Sequence, residues 1–245
     1  MLSVPGSESV ALDIILSQST LRRPFFVALA LVSLAGIAVE LLGAAFGLST
    51  QSGLLPLFSL SYEGNVPTFY SAAILSLAAI LLSFSAIAAR KNGDGFVPHW
   101  WVLALGFSYI AIDEVFSIHE MAGGFLSLSG VLYFSWVVPA AALVLLIGVS
   151  YLRFLKHLPR RTALRFLIAG TIYVGGAVLM ELPLGYWTEK HGSHNLGYGL
   201  IDAVEETLEM VGINLFNLWL LDHLAEKHVV LRFLPPNPDP VANQT

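Results

Sequence analysis

Cysteine is absent from all 245 residues, and charge is scarce: 12% of residues are Asp, Glu, Lys or Arg, where a soluble domain usually has about a quarter. The first absence removes disulfides, thiolate metal sites, cysteine nucleophiles, thioether-linked haem and a lipid-modified cysteine anchor. Any metal must therefore be held by oxygen or nitrogen. The second absence, beside a 56% hydrophobic content, argues against a soluble domain. Clustered Lys and Arg on a polar face are also missing, so a nucleic-acid surface is excluded as a partner. No basic region precedes the first apolar stretch until Arg22 and Arg23, and that stretch is too long for a cleavable signal core.

What the chain does have is long apolar runs. Six of them can cross a hydrocarbon core of about 30 Å: Pro24 to Leu48, Val66 to Arg90, Pro98 to Glu120, Val131 to Leu152, Thr162 to Trp187 and Gly199 to Glu226. Pro24, Pro67 and Pro98 fall in predicted first turns, where a missing N–H costs nothing. The fold class is thus an all-α, polytopic membrane bundle of six transmembrane helices. Residues 1–23 read as a cytoplasmic leader with a short interfacial helix or none, 24–232 as the transmembrane domain, and 233–245 as a disordered, Pro-rich cytoplasmic tail.

Orientation follows from the bases. Of the twelve, only Lys190 falls on the second side of a six-span model, while Arg22, Arg23, Arg90, Lys91, Arg153, Lys156, Arg160, Arg161, Arg165, Lys227 and Arg232 fall on the first. By the positive-inside rule both termini are cytoplasmic and the location is the cell membrane, with the lipid bilayer as the surrounding partner.

At about 1.5 Å of rise per residue, nine carboxylates then lie in the outer half: Glu40, Asp113, Glu114, Glu120, Glu181, Asp202, Glu205, Glu206 and Glu209. An acid at a helix centre costs roughly 2.5 to 3.5 kcal/mol on insertion scales, so the deeper ones need protons, water or cations beside them. Residues seven apart nearly align on a helix, which puts Asp113 and Glu120 on one stripe with Ser117 alongside and His119 at its edge. Asp202, Glu205, Glu206 and Glu209 share a sector of about 100°. The pattern I-D-x-V-x-x-x-x-E-M-x-G occurs twice, from Ile112 and from Ile201, suggesting a quasi-two-fold pairing of the third and sixth spans.

Carboxylates on facing helices with a histidine suit a divalent metal, including a di-metal centre of iron, manganese or zinc. The expected ligands are Asp113, His119, Glu120, Glu181, Glu206 and Glu209. Glu205 and Glu114 are the candidate catalytic acid–base groups, with Glu40, Asp202, Ser117, His191 and His194 as supporting residues. Such a site fits a metal-dependent enzyme, a hydrolase or an oxidase/oxygenase, acting on a lipid-like or small hydrophobic substrate. Two other readings remain: a proton or divalent-cation transporter using the same acids, and a haem-binding or structural subunit resting on His99 and His223.

Glu205-Glu206-Thr207-Leu208-Glu209-Met210 resembles the start of the Glu-Glu-x-x-x-Arg motif of CaaX-type intramembrane glutamate proteases, but Met210 stands where that motif has Arg. Alkaline-ceramidase-like zinc hydrolases carry a late His-x-x-x-His pair, and the last span has only His223.

Overall fold

In a computed structural model, which describes residues 18–50, 52–118 and 127–229, helices dominate and no strand occurs among the described residues. The expected leader and tail lie largely outside these residues. Among the described residues eight α-helices run in order: α1 (Gln18–Phe46), α2 (Val66–Lys91), α3 (Val97–Phe116), α4 (Val137–Ser150), α5 (Leu152–His157), α6 (Arg160–Val174), α7 (Glu181–His191) and α8 (Leu196–Glu226). A six-residue π-helix, Gly175–Met180, joins α6 to α7 without a break.

Among the described residues three helical stretches are long and apolar enough to cross a membrane: Ser19–Phe46, Val66–Lys91 and Arg160–His191. α4 is apolar but shorter, at 14 residues, and α3 and α8 are long enough but carry acids.

Local sequence explains most boundaries. Asn65 caps α2 by accepting from Thr68 N at 3.1 Å, and its amide gathers the preceding loop through the carbonyls of Ser59 and Tyr62. Asn195 caps α8 in the same way through Tyr198 N at 3.1 Å. Gly192, at φ 77°, turns the chain between α7 and α8 in a conformation that a side chain would resist.

Three ends differ from expectation. α1 begins upstream, leaving Pro24 inside the helix, because Leu21 packs into the cluster at that end of the bundle. The fourth helix starts at Val137 rather than Val131, since Pro139 fits only a first turn and Gly130, at φ 65°, makes a 3-10 turn instead. α3 stops at Phe116, short of Glu120, where Ser117 adopts left-handed φ 48°, ψ 44°.

α8 is the central element, packed by α1, α2, α6, the π-helix and α7, while α2 and α3 form an antiparallel pair. At one end of the bundle Trp100 stacks on His223 with ring centroids 5.1 Å apart and meets Phe154 edge-on at 4.9 Å. Phe107 of α3 stacks on Phe216 of α8 at 5.1 Å. This aromatic plug includes Ala89, Leu158 and Leu224, so it brings together the helix ends that carry Arg90, Lys91, Arg160, Arg161 and Lys227. It is the basic end. Arg165 pairs with Asp222 there at 2.8 Å.

Asp94, in the α2–α3 turn, accepts from Phe96 N at 2.8 Å and lies 3.1 Å from His157. Slight burial works against its ionised form, but the Phe96 N–H, His157 and Lys227 outweigh it and hold its pKa below the ordinary carboxylate value. A depressed folded pKa stabilises above the unfolded pKa of about 4 and is lost as pH falls through the folded value. Asp94→Asn is therefore expected to lower the melting temperature at pH 7, and the gap to the wild type should narrow as the pH falls below about 4. A gap unchanged across that range would refute the coupling.

Candidate carboxylate site

The opposite end collects the acids. α8 supplies four on successive turns, and the surrounding helices decide which neighbour each meets. Among its charged neighbours Glu205 feels Glu181 of α7 most, while Glu206 feels Glu209 and then Glu114 of α3. Glu209 feels both Glu114 and Glu181 and is hydrogen-bonded by Tyr173 of α6, and Asp202 feels Glu181, Glu40 and Glu63. For Asp202, Glu205 and Glu206 the charged neighbours acting on each are other carboxylates.

Close backbone approach makes this crowding possible. A Cβ on Gly176, in the π-helix, would lie 2.8 Å from Glu205 O and 3.0 Å from Glu209 N. One on Gly212 would lie 2.7 Å from Tyr173 N. Two glycines, one on each helix, thus let the backbones touch beside the acids. The wide π turn sits just before Pro183, whose ring would press on the Leu179 carbonyl in a regular α-helix. The distortion lies upstream of Pro183, and Glu181 opens the helix that follows it.

The side chains differ in how they are satisfied. Ser59 Oγ donates to Glu40 Oε1 at 3.0 Å, and Trp136 Nε1 donates to Glu181 Oε1 at 3.1 Å. Asp202 and Glu205, 7% and 6% exposed, each keep one buried oxygen without a hydrogen bond, Oδ2 and Oε2 respectively. Buried carboxylate oxygens left this way cost free energy unless something else meets them. Glu206 and Glu209 are partly exposed.

Several expected residues stand elsewhere. His119 and Glu120 lie outside the described residues. Because α3 ends at Phe116, the stripe joining Asp113 to Glu120 is broken, and the two-fold echo with α8 does not continue as paired helices through the described residues. Ser117 serves as the left-handed end of α3. His191 stacks on Trp187, ring centroids 4.3 Å apart, and is exposed rather than folded onto the acids. His194 lines a cavity with Glu40. Among the described residues no three His, Asp or Glu side chains converge as a ready-made metal site. His99 and His223, the pair considered for haem, sit in the aromatic plug, stacked on Phe154 and Trp100.

Glu63, Tyr173 and Trp136 were not anticipated. Tyr173 had a signal, as a hydroxyl in mid-span needs a partner. Glu63 lies in a loop, where helical rise gives no depth.

The chain belongs to the family described as Domain of unknown function (DUF8692), which matches residues 18–224, nearly the whole helical body. No curated protein and no solved structure matches it.

Proposed function

We propose that this protein is a six-span membrane protein with both termini cytoplasmic, and that the carboxylate cluster in its outer half binds a divalent metal ion used in a reaction on a lipid-like substrate. The observation that carries the reading is the pair of buried, unsatisfied oxygens on Asp202 and Glu205 amid carboxylate neighbours. Cations meet that need, and an all-oxygen set suits magnesium, calcium, manganese or iron. Glu205, Glu206 and Glu209, with Asp202, would hold the ion, and they would have to close around it, since no ligand triad stands ready among the described residues.

A bound divalent ion supplies Lewis acidity and an activated water. The chain's own part is to position and to move protons. Glu181, tethered by Trp136, orients the Glu205 flank, and Tyr173 steadies Glu209. With Glu205 holding the metal, Glu114 is the group for proton transfer. Transport is the weaker reading because the aromatic plug and the Arg165–Asp222 pair fill the basic half, where a through-path would need polar lining.

Elemental analysis of protein purified without chelator tests the proposal. The wild type should carry stoichiometric divalent metal, and Glu206→Gln with Glu209→Gln should lose it. A wild type that is metal-free and takes up no added Mn2+ overturns it.

A further inference from the structure

Between the end of α1 and the α7–α8 turn lies a cavity of about 360 Å3, lined by Glu40, Ala44, Ser49, Thr50, His194 and Asn195 among others. Resting on the function proposed above, we propose that this cavity is an outer vestibule that captures a hydrated divalent cation and passes it to the buried acids, with Glu40 as the residue that hands it on.

Volume supports a hydrated guest. At about 30 Å3 per water the cavity has room for roughly a dozen, enough for an ion with its first shell intact. Its lining offers the Glu40 carboxylate, the Ser49 and Thr50 hydroxyls and the His194 imidazole, a set that suits outer-sphere contacts with a cation that sheds water reluctantly. The cavity lies at the acidic end, opposite the basic plug.

Glu40 stands between this space and the cluster. It lines the cavity yet is 8% exposed, held on one side by Ser59 Oγ at 3.0 Å. On the other side its carboxylate lies against the backbone of Gly199, so closely that a Cβ there would overlap it. One turn further along α8 is Asp202, which feels the Glu40 charge and carries a buried oxygen without a hydrogen bond. The carboxylate at the cavity floor and the unsatisfied one behind it form two successive steps, the first wet and the second dry.

Two measurements test this. Because the chain has no cysteine, Ala44→Cys gives a single thiol in the cavity wall. In sealed vesicles a membrane-impermeant maleimide should modify it from the outer face, while Ala203→Cys, 2% exposed on α8, stays unmodified. Failure to modify the Ala44→Cys thiol overturns the vestibule. Stopped-flow uptake of Mn2+ from a fluorescent indicator is the second. Glu40→Gln should slow uptake about ten-fold, the lower range of electrostatic focusing, with final occupancy kept. Gly199→Ala, which crowds the Glu40 carboxylate, should also slow it. Glu205→Gln should lose occupancy. An unchanged rate in Glu40→Gln, or loss of occupancy equal to that in Glu205→Gln, overturns the capture role alone. A wild type that takes up no Mn2+ overturns the capture role and the proposed function together, whatever the labelling shows.

Discussion

Replacing Gly176 or Gly212 with alanine is expected to destabilise the protein by about 1 to 3 kcal/mol each, the cost of overpacking, and replacing both by more than either single but less than their sum. The atoms a new Cβ would meet are mainly backbone: Glu205 O and Glu209 N for one position, Tyr173 N and Cα for the other. Backbone cannot rotate away as a side-chain tip can, so α8 must separate from the α6–π segment. The two contacts lie on the same helix pair, and once the first substitution has parted the helices the second meets less resistance, so the double variant should cost less than the sum of the singles. Thermal unfolding of the two singles and the double measures this. Full additivity would mean that the helices yield locally instead of moving apart as bodies.

The second large effect has an unusual sign. Glu205→Met should stabilise the protein in chelator while abolishing metal uptake. Glu205 is buried, keeps an unsatisfied oxygen and is surrounded by other carboxylates. Exchanging a buried, unsatisfied polar group for an apolar one of similar volume removes a desolvation cost of about 1 to 3 kcal/mol. With metal the order reverses: a ligand at a hundred-fold excess over its dissociation constant adds about 2.7 kcal/mol to the wild type and nothing to a variant that cannot bind it. Melting curves with EDTA and with Mn2+ should therefore cross. If Glu205→Met is destabilised in both conditions, Glu205 is a structural residue and its burial has another compensation.

The helices were legible because each is a long apolar run bounded by a cap or a breaker. Asn65-Val66-Pro67 before α2 and Gly192 before Asn195 act locally, with no help from distant residues. The ends that moved depend on tertiary contacts or on rare backbone states: Leu21 reaching the basic-end cluster, and Ser117 turning left-handed. Among the acids, periodicity put Asp202, Glu205, Glu206 and Glu209 on one face, and the structure brings Glu181 of α7 and Glu114 of α3 to act on it. A helical wheel gives an angle but not the neighbour at that angle. The π turn was hidden for the same reason, since Gly175 and Gly176 read as an ordinary Gly pair until α8 is placed against them.

The two asparagines at the heart of the bundle bear on how the molecule is made. Asn217 donates to the Ile74 carbonyl at 2.8 Å and Asn214 to the Tyr70 hydroxyl at 2.7 Å, both side chains fully buried. In the six-span reading α8 follows α2 out of the ribosome, and with four acids in its first half it is a poor client for unaided partitioning into lipid. The Ile74 carbonyl and the Tyr70 hydroxyl of α2 give its asparagines partners there. Biogenesis in that reading has an order: α2 is seated first, and the acidic helix is recruited to it.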